Sequence, residues 1–293
     1  MSDATTDWIA AARSLVTALG YAVETVTSLR LMSTSRVWRV DTDRGPLVAR
    51  VAFPRPGKTP RFAVDALVRH RLAKLDTRLA QPISHHDDRP ELSSLVEGRA
   101  WAVDSFIEGE DGTRETVDAG IWAELGVLLA KLHSIETEGV EGIAATRLQQ
   151  AWPIDDSDLS DHPFAKVAPH LTERISALGP AIQKAASGTA VVLHGDPANY
   201  NLRIQGGRLA GLIDFNDTFL GPPAWDFAWI AAYAGWSAVP TVLSEYGSVR
   251  EEDIQLLTIP TALHSASRAV LLDQPDRMER MIGIIETTLA EFG

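Results

Sequence analysis

Three oxygen-bearing side chains stand at a spacing that suits charge chemistry. Asp196 and Asn201 lie in "HGDPANYN" (residues 194–201), and Asp214 lies in "IDFND" (residues 213–217). A positioned carboxylate can take a proton from a hydroxyl. A carboxamide oxygen and a second carboxylate make a hard-oxygen set of the kind that holds Mg²⁺. Together these groups meet the needs of phosphoryl transfer, which requires a metal on the nucleotide phosphates and a base beside the attacking hydroxyl. Asp196 suits the base, and Asn201 and Asp214 suit the metal.

Such groups work only if a rigid frame aims them. The stretch "TAVVLHGDPANYNLRIQGGRLAGLIDFND" reads as strand, loop, strand, tight turn, strand. Val191, Val192 and Leu193 are buried-strand material, and "LRI" and "LAGLI" flank the turn "QGG" as a hairpin. The polar residues therefore fall at strand ends and in the loop between.

Two textures divide the rest of the chain. Up to about residue 108 it is strand-rich: "SRVWRVDTD" and "GPLVARVAF" form a predicted hairpin through "TDRGP". A predicted helix follows in "RFAVDALVRHRLAKL", then strands in "QPISHHDD" and "RAWAVDSFI". The glycine-punctuated "FIEGEDG", residues 106 to 112, has the composition of a linker. From about residue 116 helices dominate. Ile121, Leu125, Leu128, Leu129 and Leu132 share one helical face, as do Met278, Met281, Ile282, Ile285 and Leu289, and both stripes read as core. The expectation is an α+β chain of two domains, residues 1–108 and 109–293.

The chain has 293 residues, 45% apolar and 23% charged, which suits a large folded protein. Its formal charge of −12 argues against nucleic acid or anionic membrane as a partner, since both call for basic patches. There is no cysteine, which excludes disulfides, thiolate metal sites and a cysteine nucleophile. The start, "MSDATTDWIAAARSLVTALG", reads as an amphipathic helix capped around Thr6 or Asp7 and not as a signal peptide. No stretch approaches the length of a membrane span. A cytoplasmic protein is expected.

The order His-x-Asp, four residues, Asn, then Asp-Phe follows a kinase catalytic loop and its metal site, with Gly195 where that loop carries Arg. "HGDPANYN", "IDFND" and "GPPAWDFAW" together resemble the motifs of the aminoglycoside phosphotransferase and choline kinase-like family, from about residue 28 to 236. The resemblance implies a two-lobed protein-kinase-like fold, with a small antiparallel-sheet N-lobe that binds nucleotide and a larger helical C-lobe. It implies ATP or GTP as phosphoryl donor, Mg²⁺ as cofactor and a small-molecule hydroxyl as acceptor. By it, Asp196 is the catalytic carboxylate and Asn201 and Asp214 bind the metal. His194 props the loop, and Asp226 ties a helix start to it. Asp217 either assists metal or substrate, or caps a turn.

On the nucleotide side the resemblance gives Arg50 a contact to the α- and β-phosphates, with Asp65 as its partner; a solvated surface pair is the alternative. Ser33, Thr34 and Ser35 would offer hydroxyls and amides to phosphate. Residues 29 to 38 contain no glycine, the residue that most eases close backbone approach. Backbone groups at Ser105, Phe106 and Ile107 would face the base.

Members of this family phosphorylate aminoglycosides and other antibiotics, choline and ethanolamine, homoserine or sugars. An antibiotic such as an aminoglycoside is the expected acceptor, and a small metabolite the alternative. Selection is expected in segments 145–185 and 236–293. There Asp155, Asp156, Asp158 and Asp161 either neutralise a polyamine or form a solvated helix start. Glu291 is a further acceptor candidate, and Trp122, Trp152, Trp229 and Trp236 are either apolar walls or core. A nucleotide-binding protein without catalysis is the rival from another class. A protein kinase is disfavoured, because no Ala-Pro-Glu landmark follows "IDFND".

Overall fold

In the computed structural model, which describes residues 7–29, 35–53, 61–140, 159 and 162–292, Asp7 opens the first helix. Its carboxylate accepts from the backbone N–H groups of Ile9 and Ala10 (3.1 Å each), two donors that helix geometry leaves unpaired. The helix, α1 (Trp8–Ala18), buries Trp8, Ala11, Ala12, Leu15 and Val16 at helical spacing.

That stripe packs on an antiparallel sheet of β1 (Val23–Ser28), β2 (Ser35–Thr42), β3 (Leu47–Ala52), β4 (Pro82–His85) and β5 (Trp101–Ser105), in the order β1-β2-β3-β5-β4. Trp38, Val40, Leu47, Ala49, Val51, Trp101 and Val103 complete the core. β1 carries no clear burial alternation in its sequence; its side chains are mostly exposed, and its pairing with β2 holds it at the sheet edge. Between β3 and β4, α2 (Phe62–Leu72) buries Asp65 and Arg69, one turn apart, on its inner face. The first unit comprises the chain up to Gly109 together with Ile213–Asn216.

The second unit comprises Glu110–Leu212 and Asp217–Gly293. It opens with β6 (Glu110–Asp111), which pairs with β8 (Leu202–Gln205), itself paired to β9 (Arg208–Leu212). The segment that reads as a linker thus contributes a short strand, fixed by the ion pair of Asp111 with Arg203. β7 (Val191–Leu193) pairs with β10 (Phe219–Gly221).

Around these strands lie α3 (Ala119–Leu132), α4 (Pro163–Val167), α5 (Pro169–Ala177), α6 (Gly179–Ala186), α7 (Ala224–Tyr233), α8 (Val239–Tyr246), α9 (Glu251–Leu271) and α10 (Pro275–Ala290). Both apolar stripes read from the sequence are core: all five residues in α3 are buried, and in α10 only Ile282 is partly exposed. Helices α3 and α8 approach closely at Gly126, where a Cβ would lie 2.3 Å from the carbonyl oxygen of Val242. The chain is α+β and two-lobed, with the antiparallel sheet in the first lobe and most helices in the second. Among the described residues, no helix is long and apolar enough to cross a membrane.

Candidate active site

The loop from Asp196 to Asn201 is anchored from behind by Asp226, in the first turn of α7 and 0% exposed. One of its oxygens accepts the backbone N–H of Gly195 (2.8 Å). The other accepts the N–H of His194 (2.9 Å) and faces His133 Nε2 (3.0 Å). His133 Nδ1 lies 2.9 Å from the Tyr246 hydroxyl. Burial, and then Asp226, push that phenol up to about 12, so it stays protonated. A carboxylate only accepts, so the imidazole carries a proton on Nε2, toward Asp226. Three donors on one buried carboxylate satisfy its oxygens. Asp226→Asn sets an amide donor against one of those donors and is expected to cost about 2–4 kcal/mol in urea unfolding. Unchanged stability would remove this role.

Gly195 is a glycine for two reasons. Its φ is +80°, and a Cβ there would lie 2.2 Å from the carbonyl oxygen of Asp217. The loop and the turn ending at Asp217 thus touch backbone to backbone. His194 Nδ1 accepts the N–H of Asp196 (3.2 Å), which sets the direction in which that residue leaves the strand.

Asn201 is 1% exposed, and its Nδ2 donates to the carbonyl oxygen of Asp196 (2.8 Å). A carbonyl oxygen only accepts, so this bond fixes the orientation of the amide and turns Oδ1 the other way. Oδ1 is buried with no hydrogen-bond partner among the described residues. An orphaned buried acceptor is costly unless something absent satisfies it, and a hard cation fits that description.

Tyr200 occupies a position that the motif leaves open, so no spacing marks it in the sequence. Its hydroxyl donates to both oxygens of Asp196, at 2.8 and 3.0 Å. Burial and the neighbouring Asp196 charge hold this phenol far above its ordinary value, so it remains a donor throughout the physiological range.

In the first unit, Arg50 on β3 and Asp65 on α2 meet as expected, but within a larger closed arrangement. Arg50 pairs with Asp65 and with Asp104 (2.7 Å), and Arg69 pairs with the same two carboxylates, at 2.7 Å to Asp104. Burial opposes the Arg50 charge, but Asp104, Asp65 and, more weakly, Asp214 outweigh it and raise its pKa. The solvated-pair alternative is excluded, since Asp65 is 0% exposed. Arg50 Nε is buried with no acceptor among the described residues.

Asp214 sits at φ +67°, a left-handed conformation that Asp tolerates better than most residues. Its Oδ1 accepts from Asn216 Nδ2 (2.9 Å). Such strain at a polar turn is typical of sites where side-chain direction matters.

Of the three residues expected to face the base, two have their amides engaged. Ser105 N–H donates to Gln81 O (2.9 Å), and Phe106 N–H donates to Pro46 O (3.0 Å). Ile107 N–H has no partner among the described residues. Ser35 opens β2 and is buried. Asp217 ends a short helical turn and is half-buried. Glu291 is exposed at the end of α10. Trp122 and Trp229 are core, and Trp236 is partly exposed. Ser33, Thr34, Trp152, Asp155, Asp156, Asp158 and Asp161 lie outside the described residues.

A model described as the phosphotransferase enzyme family matches residues 25–254. Solved structures match along nearly the whole chain. A thermostable mutant of aminoglycoside phosphotransferase APH(4)-Ia has a TM-score of 0.69 at 13% identity, with 96% of this chain and 99% of that one covered. Choline kinase LicA from Streptococcus pneumoniae has 0.68 at 16%, covering 94% and 97%. Macrolide 2'-phosphotransferase MphH from Brachybacterium faecium has 0.62 at 17%, covering 96% and 98%. A search of curated proteins finds no match. At these identities the solved structures establish the fold.

Proposed function

Because the chain belongs to the phosphotransferase enzyme family, we propose that it moves the γ-phosphate of ATP or GTP to a hydroxyl of a small molecule, with Asp196 as the catalytic carboxylate. The observation that carries this reading is the Asn201 amide, locked against the Asp196 backbone with Oδ1 buried and unpartnered. That atom is the acceptor a hard cation needs, one residue past the tyrosine that holds the base.

Asp196 accepts the acceptor's proton as its O–H bond breaks. The acceptor oxygen forms a bond to the γ-phosphorus, and the bond from that phosphorus to the β,γ-bridging oxygen breaks, its electron pair leaving with the nucleoside diphosphate. Asn201 Oδ1 and the Asp214 carboxylate are the metal ligands in this reading, and Mg²⁺ bound there would neutralise charge on the phosphates. Tyr200 orients the Asp196 carboxylate toward the acceptor. Arg50, with Nε unpartnered, is the donor to the α- and β-phosphates, held in place by Asp65 and Asp104. Ile107 N–H meets the base. Catalysis rests on positioning and charge neutralisation rather than on a covalent intermediate.

Asp214→Asn tests this reading with little disturbance of the fold, since Asn also tolerates the left-handed conformation. The variant is expected to keep its unfolding midpoint and lose about 100-fold in Mg²⁺-dependent nucleotide turnover, equivalent to ~3 kcal/mol. Unchanged Mg²⁺ dependence in a steady-state assay with MgATP and MgGTP would refute it. The family's known acceptors include aminoglycosides and choline, both cations, so the charge around Asp196 bears directly on which class this enzyme takes.

A further inference from the structure

Beside Asp196 the second unit gathers positive charge. The Tyr200 ring, whose hydroxyl holds Asp196, meets the Tyr233 ring edge-on at 5.9 Å. The Tyr233 hydroxyl accepts from Arg277 Nη2 (2.7 Å) and lies 2.9 Å from Ser265 Oγ. Arg277 Nε also donates to Ser265 Oγ (2.8 Å). Arg114 Nη2 donates to the backbone oxygen of Tyr233 (3.2 Å). Arg280 follows Arg277 by three residues on α10, so the two point the same way from the helix. Arg280 is exposed but partly covered, and its guanidinium is pushed below its ordinary value by that partial burial first, and then by Arg114 and Arg277.

Among the described residues, the hydrogen-bond partners of these three arginines are neutral (Ser265, Gln274, the Tyr233 hydroxyl and the Tyr233 carbonyl), and the exposed carboxylate of Glu115 feels Arg114 beside it. The arrangement stands out in a chain with 39 acidic and 27 basic residues. Arg277 alone could be a brace for Tyr233. Arg280 has no hydrogen bond to brace, and Arg114, solvent-exposed beside Glu115, makes a single bond, to a carbonyl. Like charges held together, with no carboxylate paired to Arg277 or Arg280 among the described residues, favour an anion that neutralises them. Trp229, stacked on Tyr233 at 5.3 Å, packs with Ala198, Ala232 and Ile284 as a mostly buried apolar cluster that backs Tyr233.

We propose that the acceptor is an anionic alcohol, a hydroxy acid or a phosphate monoester, whose negative group rests on Arg114, Arg277 and Arg280 while its hydroxyl faces Asp196. The inference rests on the phosphotransferase reading of Asp196 and narrows its substrate class. The transfer step is unchanged: the hydroxyl proton passes to Asp196 and the nucleoside diphosphate leaves. Polycationic acceptors are repelled by the same three groups.

The test is calorimetric titration of the full chain with Mg²⁺ and a non-hydrolysable ATP analogue. The probes are matched pairs, glycerate against glycerol and glucose 6-phosphate against glucose, with kanamycin, choline and spermidine as cations. At least one anionic probe is expected to bind ten times or more tighter than its neutral parent, with affinity falling as NaCl is added. Preference for glycerate or for glucose 6-phosphate assigns the carboxylate or the phosphate. Arg280→Gln, which removes no hydrogen bond, is expected to weaken the anion about tenfold and leave neutral probes unchanged. Arg277→Met should weaken it further, and circular dichroism reports whether that variant is folded.

Absence of any anion preference, tighter binding of a cation, or an unchanged anion affinity in Arg280→Gln would overturn the proposal. Transfer assays with MgATP and MgGTP separate the two layers of the argument. Transfer only to neutral or cationic alcohols sinks the anion preference alone. Arg280-dependent anion binding with no transfer to any alcohol sinks the acceptor role of this rim and the reading of Asp196 with it.

Discussion

Asp196→Ala lowers kcat by about 10³-fold and leaves MgATP affinity within about threefold, because a proton acceptor contributes 10²–10⁴ to such steps and acts on the acceptor rather than on the nucleotide. The alanine variant also strips Tyr200 of the carboxylate to which its hydroxyl donates. Asp196→Asn retains an oxygen for Tyr200 and removes only the basicity. Both variants are expected to fall by similar factors. A large loss in the alanine variant with near-normal turnover in the asparagine variant would show that Asp196 matters for loop shape and not for proton transfer. Steady-state kinetics with a productive acceptor, alongside nucleotide titration, make the distinction.

The second large effect is on stability. Arg69→Met removes one cation from the closed set of Arg50, Arg69, Asp65 and Asp104, leaving two buried carboxylates to share one guanidinium. Breaking a buried ionic arrangement in this way costs about 3–5 kcal/mol. The pH dependence identifies the cause. Burial pushes the Asp65 carboxyl up, but Arg50 and Arg69 outweigh it and hold its pKa below the ordinary 3.8. A carboxylate depressed in the folded state stabilises above its unfolded pKa and loses that contribution as pH falls through the folded value.

In Arg69→Met burial is less well opposed, so the Asp65 pKa rises and the benefit at neutral pH is lost. The stability gap between wild type and variant should be widest near pH 7, narrow as pH falls through the Asp65 pKa of the variant, and close only below the wild-type value, itself under 3.8. Urea unfolding across that range checks it, and a gap that stays constant with pH would point to packing instead of charge.

The sequence made some of this plain and hid the rest for physical reasons. Asp196 and Asn201 lie within one loop, so their relation is a matter of local spacing, and the flanking apolar triplet and "QGG" turn mark the strands. Arg50 and Asp65 are neighbours across a strand and the next helix, near enough in the chain to be paired from the pattern. Asp104 joins them only because β3 and β5 align Val48 with Asp104 and Arg50 with Ala102, a register that no single segment encodes. Arg69 joins through helical spacing, yet it looks like one more surface base in "VRHRL". His133 reaches Asp226 from another helix altogether. β10 is three residues held by β7, too short for any periodicity. Arg114, Arg277 and Arg280 come from distant positions, so their shared charge exists only in the folded chain.

Asp226 collects the loop's backbone and His133 from the interior side, whereas Arg114 and Arg280 stand at the surface with no structural bond beyond one carbonyl contact. The reactive apparatus is therefore bolted to the helical frame, and the rim that greets the guest molecule is replaceable. Laboratory evolution confined to positions 114 and 280 should retarget this enzyme to guests of different charge with little effect on its melting temperature. Libraries that include Asp226 or Gly195 should yield mostly unfolded or inert clones.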